Sequence, residues 1–150
     1  MHLDPCRGRI ALESLGGQKP HTIVVSCSDS RVPPELVFDQ GLGNLFVVRA
    51  AGQVLGDAAV GSIEYAIEHL GPKLIVILGH DSCGAVNAAL STPDGQSAGS
   101  QGLDTLVNKI KPAVRPWAAS WQKDPTLGEP VRANVLSVAM DMMRRSRIVR

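Results

Sequence analysis

Three short runs, residues 22–26 (TIVVS), 45–48 (LFVV) and 73–78 (KLIVIL), are rich in β-branched side chains and lack polar alternation. A strand with one wetted face alternates with period two, so unbroken apolar runs of this length predict strands covered on both faces, as in a parallel sheet. Between the second and third runs, Ala59, Val60, Ile63, Ala66, Ile67 and Leu70 recur at helical spacing over residues 57–69, and Gly71-Pro72 ends the pattern. The unit is strand, helix, strand.

The remainder reads as helix and loop. Pro33 and Pro34 forbid a continued strand but suit a first helical turn, predicting a short helix through Phe38. A second short helix follows Gly84 to Leu90. Residues 91–102 (STPDGQSAGSQG) form a low-complexity surface loop expected to be mobile. Helical spacing then covers residues 103–111, breaks around Pro112 and Pro116, and returns over 131–147 with Val131, Val135, Val138 and Met142 on one stripe, which core packing explains better than a cofactor site. The fold class is α/β: a small, mostly parallel sheet flanked by helices, with a helical C-terminal part. At 150 residues and 44% hydrophobic content, a single domain over 1–150 is expected.

Charge narrows the partners. A net charge of +1 and a pI near 7.8 give no electrostatic reason for binding nucleic acid or membrane. Arg144, Arg145, Arg147 and Arg150 read as a helix C-terminus, where cations complement the dipole. The longest strongly apolar run, residues 74–78, cannot span a bilayer, and no basic region with an apolar signal core opens the chain. Cys6, Cys27 and Cys83 cannot all pair with one another, which favours a reducing compartment, the cytoplasm, with thiols available for metal or catalysis.

In open α/β sheets, reactive groups collect beyond the carboxyl ends of the strands. Cys27 ends the first run and Gly79-His80 ends the last. Alone, a cysteine there is usually a small buried hydrophobe and a histidine usually structural. The segment GHDSCG, however, places His80 and Cys83 three apart on a turn bounded by glycines, so that both can converge on one ion. Cys27 would be the third ligand. Two thiolates and an imidazole suit Zn²⁺, and three protein ligands leave the open fourth position of a catalytic site. The spare candidates Cys6, His2, His21 and His69 lack the spacing for a fourth ligand. Within CSDSR, Arg31 offers Asp29 a two-pronged cationic partner, and residues 27, 29 and 31 would share a face if extended. A surface ion pair is the plainer reading. Beside a metal ligand, Arg31 would instead keep Asp29 off the ion and leave it to orient the water.

CSDSRV at residues 27–32, GHDSCG at 79–84 and EYAIEHL at 64–70 together resemble the β-class carbonic anhydrases, over about Leu15 to Leu90. The resemblance implies reversible hydration of carbon dioxide to bicarbonate and a proton. It implies one Zn²⁺ on Cys27, His80 and Cys83, with Asp29 and Arg31 as the adjoining pair. It also implies substrate contacts at Gln18, Phe46, Tyr65 and the Gly84 backbone, with Ala51 in the apolar wall, and a homodimer or higher homo-oligomer in which some of these cross the interface. Val24, where bicarbonate-inhibited members carry tryptophan, places the chain with the plant-type subclass. The chain departs from the family pattern at residues 49–54 (RAAGQV), which lack asparagine, and in length: members usually carry a longer N-terminal arm and further elements after the last helix, so the sequence reads as a fragment or a shortened member. Two alternatives stay open: hydrolysis of a related heteroallene such as CS₂ or COS, and a non-catalytic zinc-binding homologue. A phosphatase loop would need arginine where Pro33 stands, and GLG at 41–43 is too short a dinucleotide fingerprint.

Overall fold

The computed structural model describes residues 17–149, so His2, Cys6, Leu15 and Arg150 lie outside the described residues. β1 (Thr22–Ser26), β2 (Leu45–Arg49) and β3 (Leu74–Leu78) form one parallel sheet in the order β2-β1-β3. Thr22 lies level with both Leu45 and Leu74, and Ser26 with Arg49 and Leu78. This unstaggered register brings the chain off all three strands at one level. Only the central strand is fully covered: Ile23 and Val24 are 0% exposed, whereas Leu74 on the outer β3 is 55% exposed. The unbroken apolar runs therefore mark all three strands, but complete burial on both faces belongs to β1.

α1 (Pro34–Val37) is a single turn opened by proline. α2 (Asp57–Leu70) buries Val60, Ile63 and Ala66, and ends where Gly71, at φ 70°, donates its N–H to Ala66 O. A left-handed residue is needed there, and glycine adopts it without a Cβ penalty. α2 packs against Ile23 and Val25 in an apolar cluster completed by Val138 and Met142 of α6 (Glu129–Arg145). α3 (Gly84–Ser91) and α4 (Gln101–Val114) build a second cluster, in which Val86, Leu90, Val107, Ile110 and Val114 surround Cys27 and Cys83. Burying each such side chain contributes roughly 1.5–3 kcal/mol, so this helical layer fixes the two thiols firmly.

The C-terminal half differs from its sequence reading in three places. α4 begins at Gln101, where Ser100 Oγ accepts from Leu103 N at 3.3 Å. It then passes through Pro112 to Val114 rather than breaking, followed by a 3-10 turn (Arg115–Trp117) and the short α5 (Ala118–Lys123). The proline falls in the last turn, where Asn108 O, four residues back, belongs to an exposed residue, and buried Ile110 and Val114 hold the helix on course. The buried stripe of α6 is Pro130, Asn134, Val138 and Met142; Val131 and Val135 are half-buried instead. Arg145 lies in its last turn, donating to Leu55 O at 2.8 Å and pairing with Asp57 at 2.5 Å. Between α3 and α4, the Asp104 carboxylate accepts from Ala98 N at 2.6 Å and Ser97 Oγ at 3.0 Å, which ties that loop to α4. No helix among the described residues is long and apolar enough to cross a membrane.

Candidate metal centre

The centre lies where the chain leaves β1 and β3. After β1 the segment turns, with Val32 N donating to Asp29 O at 3.2 Å, so residues 27, 29 and 31 are not aligned by extension. A local side-chain turn brings Asp29 and Arg31 together instead. Asp29 Oδ1 accepts from Arg31 N at 3.0 Å and Nε at 2.9 Å, and Oδ2 accepts from the terminal guanidinium nitrogen at 2.8 Å. These charge-assisted bonds hold the Asp29 carboxyl well below the usual carboxylate range. Arg49, the last residue of β2, fixes the backbone from the other side, donating to Cys27 O at 2.8 Å and Asp29 O at 2.6 Å.

After β3 the chain passes Gly79, where a Cβ would lie 2.6 Å from Val135 Cγ2 and 2.9 Å from Val131 Cγ1. Glycine is required there for α6 to close against the strand end. Ser82 takes a left-handed conformation, φ 53°, and turns the chain so that Cys83 caps α3 from within the core at 1% exposure. His80 Nδ1 lies 2.9 Å from Asp81 O. A carbonyl can only accept, so in the neutral ring this nitrogen carries the proton and Nε2 the lone pair. That Nε2 is buried and has no protein partner.

Cys27 Sγ and Cys83 Sγ stand 3.9 Å apart as free thiols, and these two atoms and a His80 ring nitrogen all lie within 4.8 Å of one another. Two Zn–S bonds of about 2.3 Å at a tetrahedral angle would separate the sulfurs by about 3.8 Å, close to the spacing found. Burial pushes the Cys27 thiol up, but the adjoining His80 ring and the nearby Gly52 and Asp29 amides outweigh it and leave the thiol below its ordinary value. Burial pushes Cys83 up, and the neighbouring Cys27 adds to it. Two thiols, one poised to ionise, and an orphaned imidazole lone pair are a donor set that a borderline divalent metal satisfies. Asp29 Oδ2 is 3.9 Å from His80 Nε2, near the group but engaged by Arg31.

The other expected site residues divide. Ala51 opens the 3-10 turn (Ala51–Gln53) beside the cluster, and Gly84 directly follows Cys83 as the first residue of α3. Gln18 is exposed before the amino end of β1. Phe46 pairs with Ile23, about 13 Å down the strand from Cys27, and packs with the α2 cluster. Tyr65 is 49% exposed on α2, its ring centroid 4.9 Å from that of His69. These three do not join this chain's own cluster. Three residues that motif reading passes over do join it: Arg49, Gly52, whose N–H donates to Cys27 Sγ at 3.3 Å, and Asn134, whose Nδ2 donates to Gly52 O at 2.9 Å. The strand-end rule that singles out Cys27 applies equally to Arg49.

A family model described as carbonic anhydrase matches residues 22–150. Carbonic anhydrase 2 of Mycobacterium tuberculosis is 54% identical over 99 residues, 65% of this chain and 47% of that protein. The carbonic anhydrase of Mycolicibacterium smegmatis is 50% identical over 97 residues, with the same two shares, 65% and 47%. The chain thus spans about half the length of the curated relatives it matches. Among solved structures, Coccomyxa β-carbonic anhydrase in complex with acetazolamide superposes with a TM-score of 0.80 at 26% identity, covering 97% of this chain and 68% of that one. The β-carbonic anhydrase CafA of Aspergillus fumigatus gives 0.75 at 28%, covering 95% and 69%.

Proposed function

Because this chain belongs to the β-carbonic anhydrase family, we propose that it catalyses the reversible hydration of carbon dioxide to bicarbonate and a proton, with one Zn²⁺ held by Cys27, His80 and Cys83. The observation that carries the reading is the convergence of two buried thiols and an unpartnered imidazole nitrogen within 4.8 Å at the ends of β1 and β3. When bound, the metal supplies Lewis acidity that brings deprotonation of water from about 15.7 toward neutral pH.

The protein's own groups then have separate tasks. The Asp81 carbonyl fixes the His80 tautomer, so the nitrogen facing the thiols is the one with a lone pair. Arg31 occupies both oxygens of Asp29 and keeps the carboxylate from ligating, which preserves an open position for water. Asp29 Oδ2 still has acceptor capacity, and it would take a hydrogen bond from the attacking water and turn the water's lone pair toward CO₂. Ala51 would contribute apolar wall and the Gly84 N–H a donor to a substrate oxygen. Gln18, Phe46 and Tyr65 would serve a neighbouring copy's site, which requires a homodimer or larger assembly. Exposed Leu36, Val37, Phe38 and Leu42 on and after α1 support such an assembly, and the free thiols suit a cytoplasmic setting.

Stopped-flow CO₂ hydration by zinc-loaded protein tests the reading. The wild-type chain should exceed the buffer rate, and Cys83→Ser should lose both metal and rate. A wild-type sample with confirmed stoichiometric zinc and no rate above buffer would overturn it.

A further inference from the structure

Asn134 is 2% exposed and occupies the buried stripe of α6 between Pro130 and Val138, where a leucine would pack without leaving polar atoms to satisfy. A buried carboxamide is costly unless it is hydrogen-bonded, so its partner is informative. That partner is Gly52 O at 2.9 Å, 82 residues away. Gly52 in turn donates its N–H to Cys27 Sγ at 3.3 Å. The two bonds leave from the two peptide units that flank the Gly52 Cα. With the φ and ψ of Gly52 held by packing, fixing one of them sets the direction of the other.

Gly52 has little other freedom. Its φ is +61°, and a Cβ there would lie 2.6 Å from Ile110 Cδ1 and 3.0 Å from Ala85 Cβ. The glycine is thus pressed between α4 and the first turn of α3, and only α6 supplies a polar tether to its carbonyl among the described residues. We propose that Asn134 is a positioning residue for the metal centre: it holds the Gly52 turn so that the Gly52 N–H points at Cys27 Sγ, orienting and tuning that sulfur as a metal ligand. This rests on Cys27, His80 and Cys83 being the ligands. Hydrogen bonds to ligand atoms set ligand orientation and donor strength, and their loss typically weakens metal affinity by about 10–100-fold.

The test uses the full chain and cobalt(II) as a spectroscopic stand-in for zinc. Asn134→Leu keeps the number and branching of side-chain heavy atoms and removes the donor, and Val138→Ala loosens the same helix through its other contact, the α2 cluster, as a stability control. Expected for Asn134→Leu is metal affinity, from chelator competition, weakened about tenfold or more, with a shifted thiolate-to-cobalt charge-transfer band. Val138→Ala should leave the band and affinity as in wild type, and Asn134→Gln, which retains the amide, should restore part of the affinity. An Asn134→Leu protein with wild-type affinity and band, or a Val138→Ala protein with the same losses, overturns the proposal. Amide exchange on the wild-type protein covers the case in which Asn134→Leu does not fold. A protected Asn134 side-chain amide that shifts together with the Gly52 N–H on metal loading supports the tether, and a freely exchanging or unmoved one overturns it. A wild-type chain that takes up no metal would overturn the ligand assignment itself, a failure distinct from any seen only in the variants.

Discussion

Arg31 holds both oxygens of Asp29, and in the proposed mechanism that grip makes Asp29 an orienting group and not a ligand. Asp29→Ala should retain metal while CO₂ hydration falls about a hundredfold or more, the usual range for losing a positioned proton partner; equal loss of zinc would instead mark Asp29 as a ligand. The depressed Asp29 carboxyl fixes the sign of a pH effect. A carboxylate whose folded pKa is lowered contributes stability above its unfolded value of about 4 and loses it as pH falls through the folded value. Denaturant midpoints of wild type and Asp29→Asn should therefore differ by a constant amount from pH 8 to 5 and converge only in acid. A gap that changes between pH 8 and 5 would contradict this. In metal-free protein, Cys27, lowered by its hydrogen bonds, should be alkylated by iodoacetamide at lower pH than Cys83, read by mass mapping; the reverse order would contradict the assigned thiol environments.

At the scale of elements, the site depends on how closely α6 approaches the end of β3. Gly79→Ala would place its Cβ 2.6 Å from Val135 Cγ2 and 2.9 Å from Val131 Cγ1, methyls of β-branched side chains that have little χ1 freedom on a helix. Unfolding should show a loss of about 1–3 kcal/mol, and metal affinity should weaken as His80 is displaced. The strands were legible because their signal is local: β-branched, unalternating runs bounded by turn residues place β1 at Thr22–Ser26 and β3 at Leu74–Leu78, within one residue of the sequence reading. Pro112 misleads for the opposite reason. Local rules forbid proline in a helix, whereas packing of Ile110 and Val114 into the cluster beneath the metal centre carries α4 past it. Apolar spacing alone marks the α6 stripe and passes over Asn134, whose partner Gly52 is distant in sequence.

For the whole molecule, the parallel sheet with level strand ends gathers residues from 27 to 83 into one centre, and a helical layer from residues 84–145 covers the thiols. The Cys27–His80–Cys83 cluster and the Asp29–Arg31 pair are visible as short motifs because each lies within a few residues of a strand end. Arg49 and Asn134 are not, because their hydrogen bonds exist only once β2 and α6 are in place. Phe46 and Tyr65 stand apart from this chain's cluster, so under the proposed function the substrate wall would be completed by a second copy, and size-exclusion mass should give a dimer or multiple of it; a strictly monomeric active species would contradict that assignment. The most direct measurement of the central claim is CO₂ hydration rate against zinc added to metal-free protein. The rate should rise linearly and break at one equivalent per chain, and the rise should be absent in Cys83→Ser. A flat rate through saturating zinc, or the same rise in Cys83→Ser, would contradict it.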